Sequence, residues 1–171
     1  MAVQGFLARV AGKTKQIIAT VTSNGAADAG KIVALNSGGK LDQSLLPPGI
    51  GANSVQAVAS EAIGAGKFVE LWSDAGVLKM RLADNSNGRA AWGYVKEAVS
   101  SAASGAVYRL NTVNANMSGL TPGGDYWLGV AGGVVNTPLD PAVDTGKLDQ
   151  YLGKALSATE LVTVEYEPVT L

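Results

Sequence analysis

The sequence predicts an all-β protein, a jelly-roll-like sandwich or barrel with an extended N-terminal arm. Short runs rich in β-branched and aromatic residues recur along the chain, broken at short intervals by clusters of Gly, Asn, Asp, Ser and Pro. The 22 glycines fit those turns, and aromatics are only 6% of the chain, so small aliphatics are expected to fill the core. No convincing amphipathic helix alternates with the strands, which argues against a parallel α/β sheet. The pattern changes just past Gly51. Residues 1–52 are read as the arm and 53–171 as the β-domain.

In the arm, "QGFLARV" sets Phe6, Leu7 and Val10 at helical spacing, but only for a turn or two, too short to be stable alone in water. "KQIIATVT" (15–22) reads as a strand and "SNGAADAG" as a loop turning on Asn24-Gly25. "KIVALN" reads as a strand, "SGG" as a turn and "KLDQSLL" as a short apolar ridge. "PPG" is a stop, because Pro47 and Pro48 fix two φ angles and remove two donors. The apolar anchors Phe6, Leu7, Ile17, Ile18, Leu35, Leu45 and Leu46 are too sparse to bury one another. They are expected to bury on a neighbour, with "KIVAL" added to an exposed sheet edge. About thirty extended residues reach at most ~100 Å. Pro47 and Pro48 are expected to mark the hinge between arm and domain.

In the β-domain, "GKFVELW" (66–72) and "GVLKMRLA" (76–83) read as strands around "SDA". The second places Leu78, Met80 and Leu82 on one face and Val77, Lys79 and Arg81 on the other. "RAAWGYVKEAV" (89–99), "GAVYRLNTV" (105–113), "YWLGV" and "VVNT" continue the series, and "YLGKALSA" and "ELVTVEYEPV" close it. "GKLDQSLL" at Gly39 and "GKLDQYLG" at Gly146 are nearly alike. They are read as a reused turn-plus-apolar pattern, since repeat folds need more units at a fixed period.

Several kinds of chemistry are excluded by composition. There is no histidine and no cysteine, so Ser-His-Asp and Cys-His triads, disulfides, thiolate sites and His-ligated zinc are impossible. A net charge of −1 gives no footprint for nucleic acid. No apolar run approaches the ~18 residues of a membrane span, and no signal peptide is expected at the N-terminus. "AGKT" (11–14) has Leu7 where a phosphate-binding loop needs glycine. "GAGKF" (64–68) fails at Glu61 and at Phe68. "DNSNG" (84–88) has its glycine one place early for a calcium loop, and Val95 stands where the closing Glu belongs. All three are read as turns. Glu165 and Glu167, with Glu160, are placed in the last strand as a solvated edge, with a carboxylate-pair hydrolase as the sharper alternative. Trp72, Trp92 and Trp127 are assigned to the core, with a sugar platform as their alternative. No catalytic residue, metal or cofactor is assigned.

"GAADAGKIVALNSGGKLDQSLLPPGIGA", "ASEAIGAGKFVELW", "GLTPGGDYWLGVAGGVVNTP" and "LGKALSATELV" occur in that order from Gly25 onward. Together they resemble the capsid cement or decoration (head-fibre-like) proteins of tailed bacteriophages. The resemblance implies a structural, non-enzymatic protein, made in the host cytoplasm, that sits on the capsid exterior of the virion. Its implied partner is the major capsid protein, without nucleic acid or membrane. Self-association as a homotrimer is expected because only 16% of residues are charged and apolar residues such as Val107, Leu110, Val134 and Val135 fall on both faces of their strands. Docking is expected through Phe6, Leu7, Ile17, Ile18, Leu35, Leu45, Leu46, Pro47 and Pro48. A head- or tail-fibre or receptor-binding component is the nearest alternative. A carbohydrate-binding or carbohydrate-active β-domain is the alternative from another class, and a surface carboxylate pair beside an aromatic cleft would favour it.

Overall fold

Antiparallel strands joined by tight turns dominate a computed structural model of the chain, which describes residues 5–46 and 53–171. The protein is all-β: the described residues form fourteen strands and two short 3-10 turns. The chain divides into two units, Met1–Ala52 and Asn53–Leu171.

The first unit opens with a hairpin of β1 (Gly5–Val10) and β2 (Lys13–Ile18), in register from Gly5 opposite Ile18 to Val10 opposite Lys13. Ala11 and Gly12 connect them with φ of 52° and 78°, the left-handed pair that a two-residue turn needs to match strand twist. Phe6, Leu7 and Val10 therefore lie in a strand, and not on helical turns as their spacing predicted. A two-turn helix leaves most of its terminal backbone groups unpaired, whereas the ladder pairs them. Folding back also limits the reach of this stretch, because residues 5–18 span one strand length, about 20 Å. "KIVALN" is no strand either. It contributes one isolated parallel bridge, Thr20 to Val33, in which Thr20 N–H donates to Ile32 O and Ala34 N–H to Thr20 O, each at 2.8 Å. The 3-10 turns are Gly25–Asp28 and Gln43–Leu45. Local polar bonds hold this stretch: Asp28 accepts from Asn24 N–H and from Lys31, each at 2.6 Å. Pro47 and Pro48 lie outside the described residues.

The second unit is built on a closed barrel of β3 (Ser54–Ala59), β4 (Phe68–Asp74), β5 (Val77–Leu82), β6 (Gly93–Val95) and β7 (Ser104–Arg109). Their order is β3-β5-β4-β6-β7. The ring closes where β3 runs parallel to β5 and antiparallel to β7. Ala57, Ala59, Ile63, Val69, Met80, Val95 and Val107 form one buried cluster. Met80 faces inward, while its neighbours Lys79 and Arg81 pair with Asp74 and Glu70. The predicted strand 89–99 shortens to Gly93–Val95, with Arg89 and Val99 in isolated bridges.

A second sheet has the order β10-β9-β12-β13-β8, from β8 (Val113–Asn114), β9 (Asp125–Leu128), β10 (Val134–Val135), β12 (Tyr151–Ala155) and β13 (Leu161–Thr163). β11 (Leu148–Asp149) pairs with β14 (Val169–Thr170). A larger buried cluster joins barrel to sheet, with Phe68, Tyr94 and Leu110 meeting Leu120, Tyr126, Leu128, Leu152 and Leu161. Tyr94 is fully buried, and its hydroxyl donates to Val113 O at 2.6 Å. Three buried amide side chains tie the same two layers. Gln150 Oε1 accepts from Ala91 N–H at 2.7 Å, and its Nε2 donates to Ala91 O at 2.9 Å. Asn85 Nδ2 donates to Leu128 O, and Asn114 Nδ2 to Gly66 O. A bulge between Tyr151 and Gly153 interrupts the ladder of β12 with β9. Gly153 has φ of 146°, and a Cβ there would stand 1.9 Å from Val162 O, so only glycine fits.

The Ala-Gly turn recurs at Ala75-Gly76 (φ 49° and 82°), between β4 and β5. Alanine resists this region, whereas asparagine tolerates it. Ala75→Asn is expected to stabilise the protein by about 0.5–1 kcal/mol, read as a rise of a few degrees in the thermal midpoint. An unchanged or lower midpoint would contradict the turn assignment.

Candidate functional site

The β1–β2 register fixes what the first unit presents. Phe6, Ala8 and Val10 share a face with Ile17, Lys15 and Lys13, while Leu7 and Arg9 share the other with Ile18, Gln16 and Thr14. Both faces carry apolar side chains at the open end of the hairpin. Arg9, Lys13 and Lys15 gather toward the turn, and no acidic residue lies between 5 and 18. The hairpin is thus polarised along its length, with an apolar base and a cationic tip.

No residue is buried among 5–42 and 44–46. Leu7 is 73% exposed, Ile18 55% and Leu35 54%. Phe6 is exposed, and Ile17, Leu45 and Leu46 are half-buried. Leu45 ends the second 3-10 turn, where Asp42 accepts from Ser44 N–H and Oγ, and Ser23 N–H donates to Ser44 Oγ. Phe6, Leu7, Ile17 and Ile18 are thus brought together at one end of the hairpin. Leu35 and the Leu45-Leu46 pair lie outside that hairpin, and Pro47 and Pro48 are not described.

The near-motifs are turns. Ala11-Gly12 of "AGKT" closes the hairpin, and Gly66 of "GAGKF" leads into β4 with its N–H donating to Val95 O. In "DNSNG" Asp84 accepts from Ser86 and from Ala131 N–H. Burial opposes its charge, but these bonds and nearby Arg89 hold its carboxyl below the ordinary value. Among the described residues no group of three His, Cys, Asp or Glu side chains is placed to hold a metal ion, and no helix is long and apolar enough to cross a membrane.

Two further expectations are corrected. Glu165 and Glu167 lie between β13 and β14, not in a strand. Glu165 N–H donates to the side-chain Oδ1 of Asn111 at 3.0 Å and not to a strand carbonyl, and its carboxylate accepts from Arg109 at 2.9 Å. The tryptophans are half-buried and do not form one platform. Trp72 lies under Arg81, Trp92 under Arg109, and Trp127 edge-on to Tyr151. Trp92 packs against the barrel cluster, and the guanidinium groups cover indole faces that would otherwise seek the core. Tyr166, 60% exposed beside Tyr151, was not singled out by sequence, because it continues the strand-like alternation of Val162 and Val164.

Tyr151 provides a pH signature. Burial, then its hydrogen bond to Asp125 at 2.7 Å, push its hydroxyl up to about 12. The folded state holds this proton more tightly than the unfolded chain, whose tyrosine titrates near 10. The contribution is complete below about pH 10 and is lost as the pH rises toward 12. Urea midpoints are expected to fall across that window, and less steeply in Tyr151→Phe. Equal slopes would contradict the assignment.

No protein-family model and no curated protein sequence matches the chain. Among solved structures, it is similar to the N base of head fiber gp8.5 of bacteriophage phi29, with 16% identity and a TM-score of 0.42, over 66% of this chain and 98% of that one.

Proposed function

We propose that the protein is a non-enzymatic structural component of a tailed-phage virion, a capsid cement or decoration protein. Its first unit docks on the major capsid protein, and its β-domain projects from the outer surface of the shell. The observation that carries this reading is that no apolar side chain described between residues 5 and 46 is buried, while Phe6, Leu7, Ile18 and Leu35 are offered to solvent. Isolated exposed apolar residues are ordinary, but a cluster at one end of a hairpin points to a partner. The ordered resemblance of residues 25–171 to phage decoration proteins supplies the kind of partner. The cationic tip adds a requirement, namely acidic groups on the shell beside the apolar contact. Repetition over the shell and self-association as a trimer multiply a weak contact.

Copy number per purified particle tests the proposal. A number on the scale of the shell subunits supports cement. A few copies per particle support the fibre reading, and absence from particles overturns both.

A further inference from the structure

We propose that the second unit also binds a neutral saccharide, in the cleft beside Trp92. This goes beyond attachment to a shell and does not depend on it. The cleft holds about 310 Å³, and Glu70, Trp92, Glu165, Tyr166 and Glu167 are among its lining residues. That is the low end of the volumes of small-molecule sites, roughly 300–1,000 Å³. Its aromatic and acidic groups come from separate parts of the chain: β4, the approach to β6, and the segment before β14.

The lining groups are held in place. The Tyr166 ring meets Tyr151 edge-on at 5.6 Å, and Tyr151 meets Trp127 in the same way at 5.3 Å. Glu165 accepts from Arg109 at 2.9 Å and from Asn111 Nδ2 at 3.3 Å, while its own N–H donates to Asn111 Oδ1 at 3.0 Å. Glu70 accepts from Arg81 at 2.6 Å. Side chains fixed before a ligand arrives lose little freedom on binding it.

Charge selects the ligand. Glu70, Glu165 and Glu167 face two guanidinium groups, those of Arg81 and Arg109, which leaves one negative charge uncompensated. A phosphorylated or uronic polymer is repelled. A polycation finds two of the three carboxylates already neutralised. Those carboxylates keep free lone pairs, and each is a pure acceptor. A neutral sugar ring fits both features: its hydroxyl edge donates to the carboxylates, and its C–H face lies on the exposed ring of Tyr166.

The test titrates the full-length protein with chitotriose and with maltotriose, two neutral trisaccharides, one with acetamido groups and one without. Tryptophan indole N–H resonances are followed by NMR. Binding of either sugar is expected with a dissociation constant of roughly 1 mM or tighter. The Trp92 signal should move and that of Trp72, outside the cleft, should not. Tyr166→Ala, at an exposed position, should weaken binding about tenfold, while Val143→Ala, exposed and outside the cleft, should leave it unchanged. No binding of either sugar, equal binding by Tyr166→Ala, shifts that spare Trp92, or tighter binding of oligolysine or oligogalacturonate would each overturn the proposal.

Discussion

Leu7→Asp combined with Ile18→Asp is expected to abolish attachment to phage particles while leaving thermal unfolding unchanged. The two side chains lie on one face of the hairpin, on opposite strands, and are 73% and 55% exposed. Charges placed there in the free protein stay in water, and such surface changes usually alter stability by no more than about 0.5 kcal/mol. In a docked interface the same carboxylates would lose water without gaining partners, at several kcal/mol. Each 1.4 kcal/mol is tenfold in affinity, so decoration should fall by about a thousandfold. Leu45→Asp with Leu46→Asp is a less clean pair, because both leucines are already half-buried in the free chain. Deleting residues 1–52 extends the test. Both buried clusters of the β-domain draw on residues from 57 onward, so residues 53–171 should remain soluble and unfold as before. An insoluble truncation, or a double variant that still decorates at the original copy number, would make the first unit ordinary scaffold.

Gln150→Leu is expected to destabilise the β-domain by about 3 kcal/mol and to lower its thermal midpoint by roughly 10 °C. Gln150 is 3% exposed, and its amide pairs with both backbone groups of Ala91, as a neighbouring strand would. Leucine fills a similar volume, so the loss arises from polarity and not from a cavity. The N–H and C=O of Ala91 are left buried without partners, and an orphaned group costs about 1–3 kcal/mol. Thermal unfolding monitored by circular dichroism reads the change. A shift within a degree or two of the original would mean that water replaces the amide and that Gln150 does not join barrel to sheet.

Elements set by local patterns were legible in the sequence. Alternation identified β5 and put Met80 inside, and Asn-Gly or Ala-Gly pairs marked turns. What long-range partners decide was hidden. "GKLDQSLL" and "GKLDQYLG" share most residues, yet the first becomes a turn and a 3-10 element while the second enters β11 and β12. Leu41 is exposed and the matching Leu148 buried. Among the described residues the second copy has strands to receive it, β14 and β9, and the first has none. The hairpin of residues 5–18 was half legible: β2 read as a strand, but the spacing of Phe6, Leu7 and Val10 imitated a helix. The apolar anchors of the first unit were visible as residue types, and the gathering of Phe6, Leu7, Ile17 and Ile18 at one hairpin end was not. The cleft was less visible still, since Trp92, Tyr166 and Glu70 become neighbours only after barrel and sheet are assembled.

The order of pairing also sets a timetable. The hairpin of residues 5–18 joins neighbours in sequence and can close within roughly 1–10 µs. The barrel cannot close until Ser54 meets Tyr108, and the second sheet waits for Val113 to meet Val162. Such distant pairings place all-β domains in the millisecond-to-second range. On the ribosome, β3 therefore emerges long before its β7 partner and stays an open edge meanwhile, a state prone to aggregation. During synthesis the protein can display its sticky hairpin well before the body that keeps it soluble exists. Faster translation would shorten that interval and a bound chaperone would protect it, which makes the yield of soluble protein a matter of timing as much as of final stability.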